Sequence, residues 1–191
     1  MGQISETELQ SIVRKVLQGL TSSNPSVSPS SLVKMVAIGS DHGGFPLKEI
    51  LKPYITELGF STTDCGTFGS KEAVDYPDFA LAVAQMVSTG KAWRGIVIDG
   101  AGIGSCIVAN KVPGVRAALA YDLSSANNSR EHNDANVLTL GAGMIGENLA
   151  KQIVKTWLAT EFGGGRHAPR VNKIMSIEKQ FMKDGSSHVS R

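Results

Sequence analysis

The sequence predicts an α/β domain in which a five-stranded parallel β-sheet is covered by helices on both faces. From residue 32 onward, short apolar runs alternate with stretches of helical periodicity. One run, 95–98, is apolar almost throughout and resembles the strands of sheets that are buried on both faces. Strict alternation of strand and helix implies a parallel sheet, because each helix returns the chain before the next strand, and such crossovers are right-handed.

The elements follow one another in a regular order. Pro46 suits the first turn of a helix, and Gly59 suits the position just after its end. Phe79, Val83 and Val87 recur at helical spacing and mark the inner face of a second helix. The predicted strands are 32–39, 60–66, 95–98, 115–121 and 136–140. The predicted helices are 46–59, 77–90, one that follows the glycine-rich loop 99–104, about 123–132, 146–160 and 170–182.

The first 31 residues are predicted to form a separate unit. Residues 1–20 have the pattern of an amphipathic helix, with a capping box at Ser5 and Glu8. Residues 21–31 are rich in serine and contain two prolines, which favours a flexible linker before the domain 32–191. The helix must bury its apolar face on its own oligomer or on another protein. That face is formed by Leu9, Ile12, Val13, Val16, Leu17 and Leu20.

Composition narrows the class of protein. The chain has 191 residues, 41% of them hydrophobic, and a formal net charge of +2, which is typical of a globular protein rather than a disordered one. No apolar run approaches the roughly 20 residues of a membrane span, and no signal-peptide core is present. The sequence shows no stripe of Lys and Arg residues that would indicate nucleic-acid binding. We therefore expect a cytoplasmic protein without membrane or nucleic-acid partners, in which Cys65 and Cys106 are reduced.

Polar residues follow most of the predicted strands, where open parallel sheets bind their ligands. Asp41 and His42 follow the first strand, and Asp99 opens the glycine-rich loop after the third. Each has a simpler explanation, because Asp41 could cap the next helix and His42 could be structural. Gly100, Gly102 and Gly104 could serve helix packing, and a dinucleotide loop would follow the first strand. Arg166 and Arg170 could be a solvated face.

Taken together, five motifs resemble the type B ribose-5-phosphate isomerase family, which includes both subunits of galactose-6-phosphate isomerase. The resemblance covers roughly 33–180. It implies a Rossmann-like three-layer sandwich and a homodimer or tetramer with active sites shared between subunits. It also implies aldose–ketose isomerisation of a phosphorylated pentose or hexose without metal or cofactor. The motifs are GSDHGG (39–44), DYP (75–77), ANKVPGVR (109–116), REHNDAN (130–136) and GGRH (164–167).

The resemblance also implies roles for individual residues. His132 of a neighbouring subunit would open the sugar ring with help from Asp41, and Asn133 would hold the substrate. A cis-enediolate would then be stabilised by backbone amides at the start of a helix. Those amides belong to Gly100, Ala101, Gly102, Ile103 and Gly104. The pocket would be lined by His42, Tyr76 and His167, and the phosphate would be bound by Arg166 and Arg170.

Three positions depart from the family pattern. Asp99 stands where most members have a cysteine base, Ala101 where threonine or serine is usual, and Gly143 where an arginine helps to bind phosphate. An aspartate at this position is similar to the A subunit of galactose-6-phosphate isomerase. Asp99 is therefore either the base for ribose 5-phosphate and ribulose 5-phosphate, or an inert helix cap in a half-site subunit. Such a subunit would complete the active site of a cysteine-bearing paralogue.

The N-terminal unit has a resemblance of its own. A short amphipathic helix on a Ser/Pro linker is similar to the encapsulation peptides that carry enzymes into bacterial microcompartments. This implies docking of residues 1–20 on microcompartment shell or cargo proteins. The alternative is that the helix packs on its own oligomer.

Overall fold

The computed structural model describes residues 33–184, which form a five-stranded, fully parallel sheet in the order β2-β1-β3-β5-β4. Gly39 of the first strand pairs with Val97 of the third, and Asp99 at the end of the third pairs with Gly141 of the fifth. The predicted Rossmann-like α/β class is confirmed. The strands are β1 (Met35–Ser40), β2 (Ser61–Asp64), β3 (Arg94–Asp99), β4 (Ala117–Leu119) and β5 (Val137–Gly141).

The helices form the two outer layers of the sandwich. One apolar core contains side chains of the first, fourth and fifth helices, and the other contains side chains of the second and third helices. Both cores pack on the sheet, because successive residues of β1, β3 and β5 point to opposite faces. The helices are α1 (Phe45–Glu57), α2 (Tyr76–Ser88), α3 (Ile103–Ala109), α4 (Leu123–Glu131), α5 (Glu147–Ala159) and α6 (Ala168–Asp184), with a short 3-10 turn at Gly165–His167 before α6.

The edge strand β4 is shorter than the predicted 115–121, and two asparagines explain why. The Asn110 amide nitrogen donates to the Ala117 carbonyl oxygen at 2.9 Å, and its oxygen accepts from the Ala117 amide at 2.9 Å. Asn136 binds the preceding turn in the same way, accepting from the Arg116 amide at 2.7 Å and donating to the Gly114 carbonyl at 2.8 Å. Side chains therefore satisfy backbone groups that a neighbouring strand would otherwise pair.

Two buried arginines fix the end of α5. Arg94 donates to the carbonyls of Trp157 and Leu158 at 2.8 and 3.0 Å, and Arg130 donates to the carbonyl of Thr160 at 3.2 Å. Burial, together with the nearby positive charge of Arg130, lowers the pKa of Arg94 to about 10. Arg94 is still cationic at neutral pH, so it complements the negative end of the helix dipole.

The predicted helix 1–20 and linker 21–31 lie outside the described residues, and so does the start of the strand predicted at 32. The proposed microcompartment role of this segment therefore stays a prediction. Among residues 33–184, no helix is long and apolar enough to cross a membrane.

Gly44 is required where the end of β1 meets β3. A Cβ atom at Gly44 would overlap the Ile98 carbonyl oxygen, which itself accepts from the Asp41 amide at 3.2 Å. We expect Gly44→Ala to lower the free energy of unfolding by about 2 kcal/mol or more, because overpacking against backbone cannot relax cheaply. Urea unfolding measures this. Gly69→Ala is the control, since its Cβ would meet no atom within 4 Å. Equal stability of the two variants would contradict the close approach.

Candidate active site

The ends of β1 and β3 lie side by side at the carboxyl edge of the sheet. From β1 the chain continues through α1 to β2 on one side, while β3 lies on the other side. The connections that follow β1 and β3 therefore lead to opposite sides of the sheet, and open α/β sheets form their ligand crevice at such a point. Asp41 and Asp99 both stand at this edge and are mostly buried, with 9% and 5% of their surfaces exposed.

The Asp99 carboxylate organises the glycine-rich loop. One oxygen accepts from the amides of Ala101, at 2.8 Å, and Gly102. The other accepts from the amide of Ser105, at 3.1 Å, and from the Ser105 hydroxyl. A carboxylate has about four acceptor directions, so the loop and α3 engage all of them. Of the five loop amides predicted to stabilise an enediolate, Asp99 binds two and leaves those of Gly100, Ile103 and Gly104.

Two tyrosines and a glycine turn hold the same loop from outside. The Tyr121 hydroxyl donates to the Ala101 carbonyl at 2.5 Å. The Tyr76 ring lies so close to Gly104 that a Cβ there would sit 2.7 Å from the hydroxyl oxygen. Gly143 donates its amide to the Gly100 carbonyl at 2.9 Å. The position that lacks the family arginine is therefore packed directly against the loop.

Asp41 and His42 are both fixed by backbone amides. One Asp41 oxygen accepts from the amide of Gly44, the residue before α1, at 2.8 Å, so Asp41 holds the turn that leads into the helix rather than capping the first helical turn. The half-buried His42 accepts at Nδ1 from the Val74 amide at 3.2 Å. In the neutral ring the proton must therefore be on Nε2, which makes His42 a hydrogen-bond donor at that atom.

A second cluster lies at the opposite, amino edge of the sheet. His132 follows α4 directly and stacks on His167, with ring centroids 4.1 Å apart and planes within 9°. The amide nitrogen of Asn128 lies 2.8 Å from His132 Nδ1. Arg166 lies beside this pair, with its Nε 3.4 Å from His167 Nε2.

The placement of the cluster follows from topology. Helix α4 runs from the carboxyl edge back to the amino edge, and Asp134 just after it binds Arg116, the residue before β4, at 2.8 Å. The segment before Arg166 docks on the same corner, because the Gly163 amide donates to the Glu131 carbonyl at 2.9 Å. A five-residue strand separates the edges by roughly 15–20 Å.

Within one chain, the structure thus divides the predicted site residues into two groups. The carboxyl edge holds Asp41, His42, Tyr76, Asp99 and the loop residues Gly100, Ala101, Gly102, Ile103 and Gly104. The amino edge holds His132, Asn133, Arg166, His167 and Arg170. Asn133 contributes only long contacts to Asn128, at 3.4 Å.

Neither cysteine occupies the position of the family base. Cys65 follows β2, and Cys106 lies on α3 with its sulfur 3.5 Å from the Ala117 carbonyl. Burial raises the pKa of both thiols, so they are less available as thiolates. Among residues 33–184, no group of three His, Cys, Asp or Glu side chains is arranged to hold a metal ion.

Two residues that contact the predicted site are absent from the sequence-based prediction. Ser105 binds Asp99, and Asn128 binds His132. Asn128 precedes His132 by four residues, a spacing that places two side chains on one helix face. Ser105 is the third residue of α3, where a preceding carboxylate can reach its amide. Both spacings were visible in the sequence.

The geometry defines a doubly wound α/β protein with a ligand crevice at the carboxyl edge of its sheet. Comparison with known proteins identifies the family. Residues 36–174 match the sequence profile described as "Ribose/Galactose Isomerase". The chain therefore belongs to this family of sugar-phosphate isomerases and is an enzyme of the aldose–ketose isomerase class.

Individual relatives agree with this assignment. The chain is 45% identical to a D-erythrulose-4-phosphate isomerase of Pectobacterium atrosepticum, over 76% of this chain and 95% of that one. It is 44% identical to ribose-5-phosphate isomerase B of Escherichia coli, over 78% and 99%. A solved structure of ribose-5-phosphate isomerase B from Clostridium thermocellum is 52% identical, covers 77% of this chain and 99% of its own, and superposes with a TM-score of 0.75.

The stacked histidines generate a titration prediction. Burial lowers the pKa of His167, and the nearby His132, Arg166 and Arg170 lower it further. Folding therefore favours the neutral form, and this stability contribution is lost as the pH falls through the unfolded and then the folded pKa. We expect Arg166→Ala to raise the pKa of His167, measured by NMR of the ring protons. Lys179→Ala is the control, because Lys179 lies farther along α6 and is not among the groups that shift the pKa of His167. A fall in the pKa with Arg166→Ala would contradict the assignment.

Proposed function

We propose that this protein interconverts ribose 5-phosphate and ribulose 5-phosphate in an active site shared by two copies of the chain. The observation that supports the shared site is the separation of the two residue clusters. The candidate base Asp99 and the candidate ring-opening group His132 lie at opposite edges of one sheet, too far apart to contact one small sugar. A second copy that presents its amino edge to the carboxyl edge of the first would bring them together.

Ring opening requires a proton donor at the ring oxygen and a base at the anomeric hydroxyl. An amide nitrogen can only donate, so His132 accepts from Asn128 at Nδ1 and carries its proton on Nε2 when neutral. His132 Nε2 is thus suited to protonate the ring oxygen. Asp41 has one oxygen outside the bond to Gly44 and is suited to accept the anomeric proton.

Isomerisation then moves one proton between adjacent carbons. The Asp99 carboxylate would take the proton from C2 of the open-chain aldose, and the electron pair would form the cis-enediolate. The proton of the C2 hydroxyl passes to the C1 oxygen, and Asp99 returns its own proton to C1, which gives the ketose with its carbonyl at C2. The free amides of Gly100, Ile103 and Gly104 are candidates to stabilise the enediolate oxygens. To accept a proton, Asp99 must release one of its four hydrogen bonds. Two of them join Oδ2 to Ser105 on α3.

An exposed apolar surface supports a second copy as the partner. Ile174, Ile177 and Phe181 on α6 are 47%, 49% and 69% exposed. They border a cavity of about 600 Å³ whose wall includes Asn133 of the amino-edge cluster. Exposed apolar patches of this kind mark association surfaces. This surface adjoins the residues that the shared site needs, so one dimer contact would cover the patch and complete the site.

A half-site subunit is the second candidate. The four hydrogen bonds of Asp99 are those of a group that organises a loop, and they favour this alternative. The protein would then lend His132 and Asn133 to a cysteine-bearing paralogue and be inactive alone. The relatives include isomerases named for a four-carbon and for a five-carbon sugar phosphate, so an assay must compare substrates of both sizes.

Substitution of Asp99 separates the two candidates. If Asp99 is the base, Asp99→Asn should lower kcat by about 10²–10⁴-fold, the contribution typical of a general base, while Asp99→Cys retains activity. Tetrose, pentose and hexose phosphates serve as substrates in a coupled assay, and thermal unfolding checks that each variant folds. An inactive wild-type chain that gains activity with Asp99→Cys would support the half-site subunit instead.

Mixing two inactive variants tests the shared site. In a dimer of Asp99→Asn with His132→Asn, one site carries both substitutions and the other carries neither. Random exchange of equal amounts makes half the dimers mixed, so about a quarter of wild-type activity should return. The control mixes Asp99→Asn with Asp41→Asn. Both residues lie at the carboxyl edge of the same copy, so each site of a mixed dimer carries one of the two substitutions and no activity should return. No recovery in the first mixture, with mixed dimers shown by native mass spectrometry, would contradict the shared site.

A further inference from the structure

We propose that Ser105 is a positioning residue that sets the proton affinity of Asp99 and holds its carboxylate in the loop. This inference rests on the proposed role of Asp99 as the base. It adds a residue that no family motif in the sequence includes.

Ser105 is fully buried, and it contacts Asp99 through both of its donors. Its amide donates to Asp99 Oδ2 at 3.1 Å, and its hydroxyl donates to the same oxygen. The other oxygen, Oδ1, receives only backbone amides of the loop. The Ser105 hydroxyl is therefore the one side-chain donor to Asp99 among residues 33–184, and the one that a substitution can remove.

A donor to a carboxylate stabilises its charged form more than its neutral form. Hydrogen bonds to charged groups are also stronger than those between neutral groups. The Ser105 hydroxyl is such a donor, so it makes the buried carboxylate of Asp99 a weaker proton acceptor than it would be without this contact. Removing it should make the carboxylate more basic and free one acceptor direction on Oδ2.

Several titratable side chains lie around Asp99, but among residues 33–184 no cationic side chain forms an ion pair with its carboxylate. Strand β1 is followed by Asp41 and His42, and strand β4 by Tyr121. Helix α2 begins with Tyr76 and carries Asp78 in its first turn, with Asp75 just before it, and α3 carries Cys106. β5 contributes no titratable side chain. Asp41 and His42 are held by their own amide partners, and among the described residues the Ser105 hydroxyl is the side-chain group that contacts the Asp99 carboxylate.

The test is the pH dependence of Ser105→Ala in the full-length protein. We expect the acidic limb of kcat/KM to move up by about one pH unit, the size expected for loss of a hydrogen bond to a charged group. The carboxyl carbon of Asp99, followed by ¹³C NMR and assigned with Asp99→Asn, should shift its titration by the same amount. Ser105→Cys keeps the volume with a weaker donor and should shift both in the same direction by less.

Ser40→Ala is the matched control. Ser40 is also fully buried near the carboxyl edge, but its hydroxyl has no partner among the described residues, so neither titration should move. If the Asp99 carbon titrates at the same pH in wild type and Ser105→Ala, the inference is overturned. If the carbon shifts and the kinetic limb does not, Ser105 has no part in the reaction, and the inference is again overturned. A wild-type protein inactive on every sugar phosphate overturns the proposed function, and the NMR titration alone then decides whether Ser105 controls Asp99.

Discussion

The direction of helix α4 is the constraint on which the account of this protein depends. Each helix that follows a strand in a parallel sheet must return the chain to the opposite edge before the next strand begins. α4 therefore begins near the crevice and delivers His132 to the amino edge. The buried arginines at the end of α5 bring Arg166 and His167 to the same corner. A fold that places acid/base groups at both edges can use them on one substrate only if two copies of the chain associate.

The Asp99 loop shows how a charged group is tolerated where the sheet is otherwise apolar. Asp99 ends a strand whose preceding residues are all buried, and an unpaired carboxylate there would be costly. The loop supplies two amides and α3 supplies an amide and a hydroxyl, so the carboxylate is fully hydrogen-bonded, with no cationic partner among residues 33–184. Tyr76, Tyr121 and Gly143 then fix the loop from three sides. The loop is thus fixed beside the crevice, and the residue proposed as the base is also the residue that supports the loop.

Much of the fold could be predicted from the sequence because its signals are local and repeated. The apolar runs and the placement of Pro46 and Gly59 gave the sheet and most helix limits to within a few residues. The length of β4 could not be predicted, because it is set by the side chains of Asn110 and Asn136, which bind backbone groups several to about twenty residues away. Family motifs named the site residues. The resemblance also assigned His132 to a neighbouring subunit, and the course of the chain shows that Arg166 and His167 lie at the same edge as His132.

The spacing of Ser105 from Asp99 allows a contact, but the turn of the loop decides that both donors of Ser105 meet the same carboxylate oxygen. Sequence alone left Asp99 as either a base or a helix cap. In the structure it makes the contacts of a cap, while it lies at the edge where a base is needed. The two roles are compatible only if substrate binding displaces one donor.

A crystal structure of the protein with bound ribose 5-phosphate tests the shared site most directly. The account predicts that one sugar contacts the Asp99 loop of one copy and His132 of another, with the phosphate near Arg166 of the copy that supplies His132. A sugar bound wholly within one chain, or one that touches neither Asp99 nor the loop that follows it, would contradict the account.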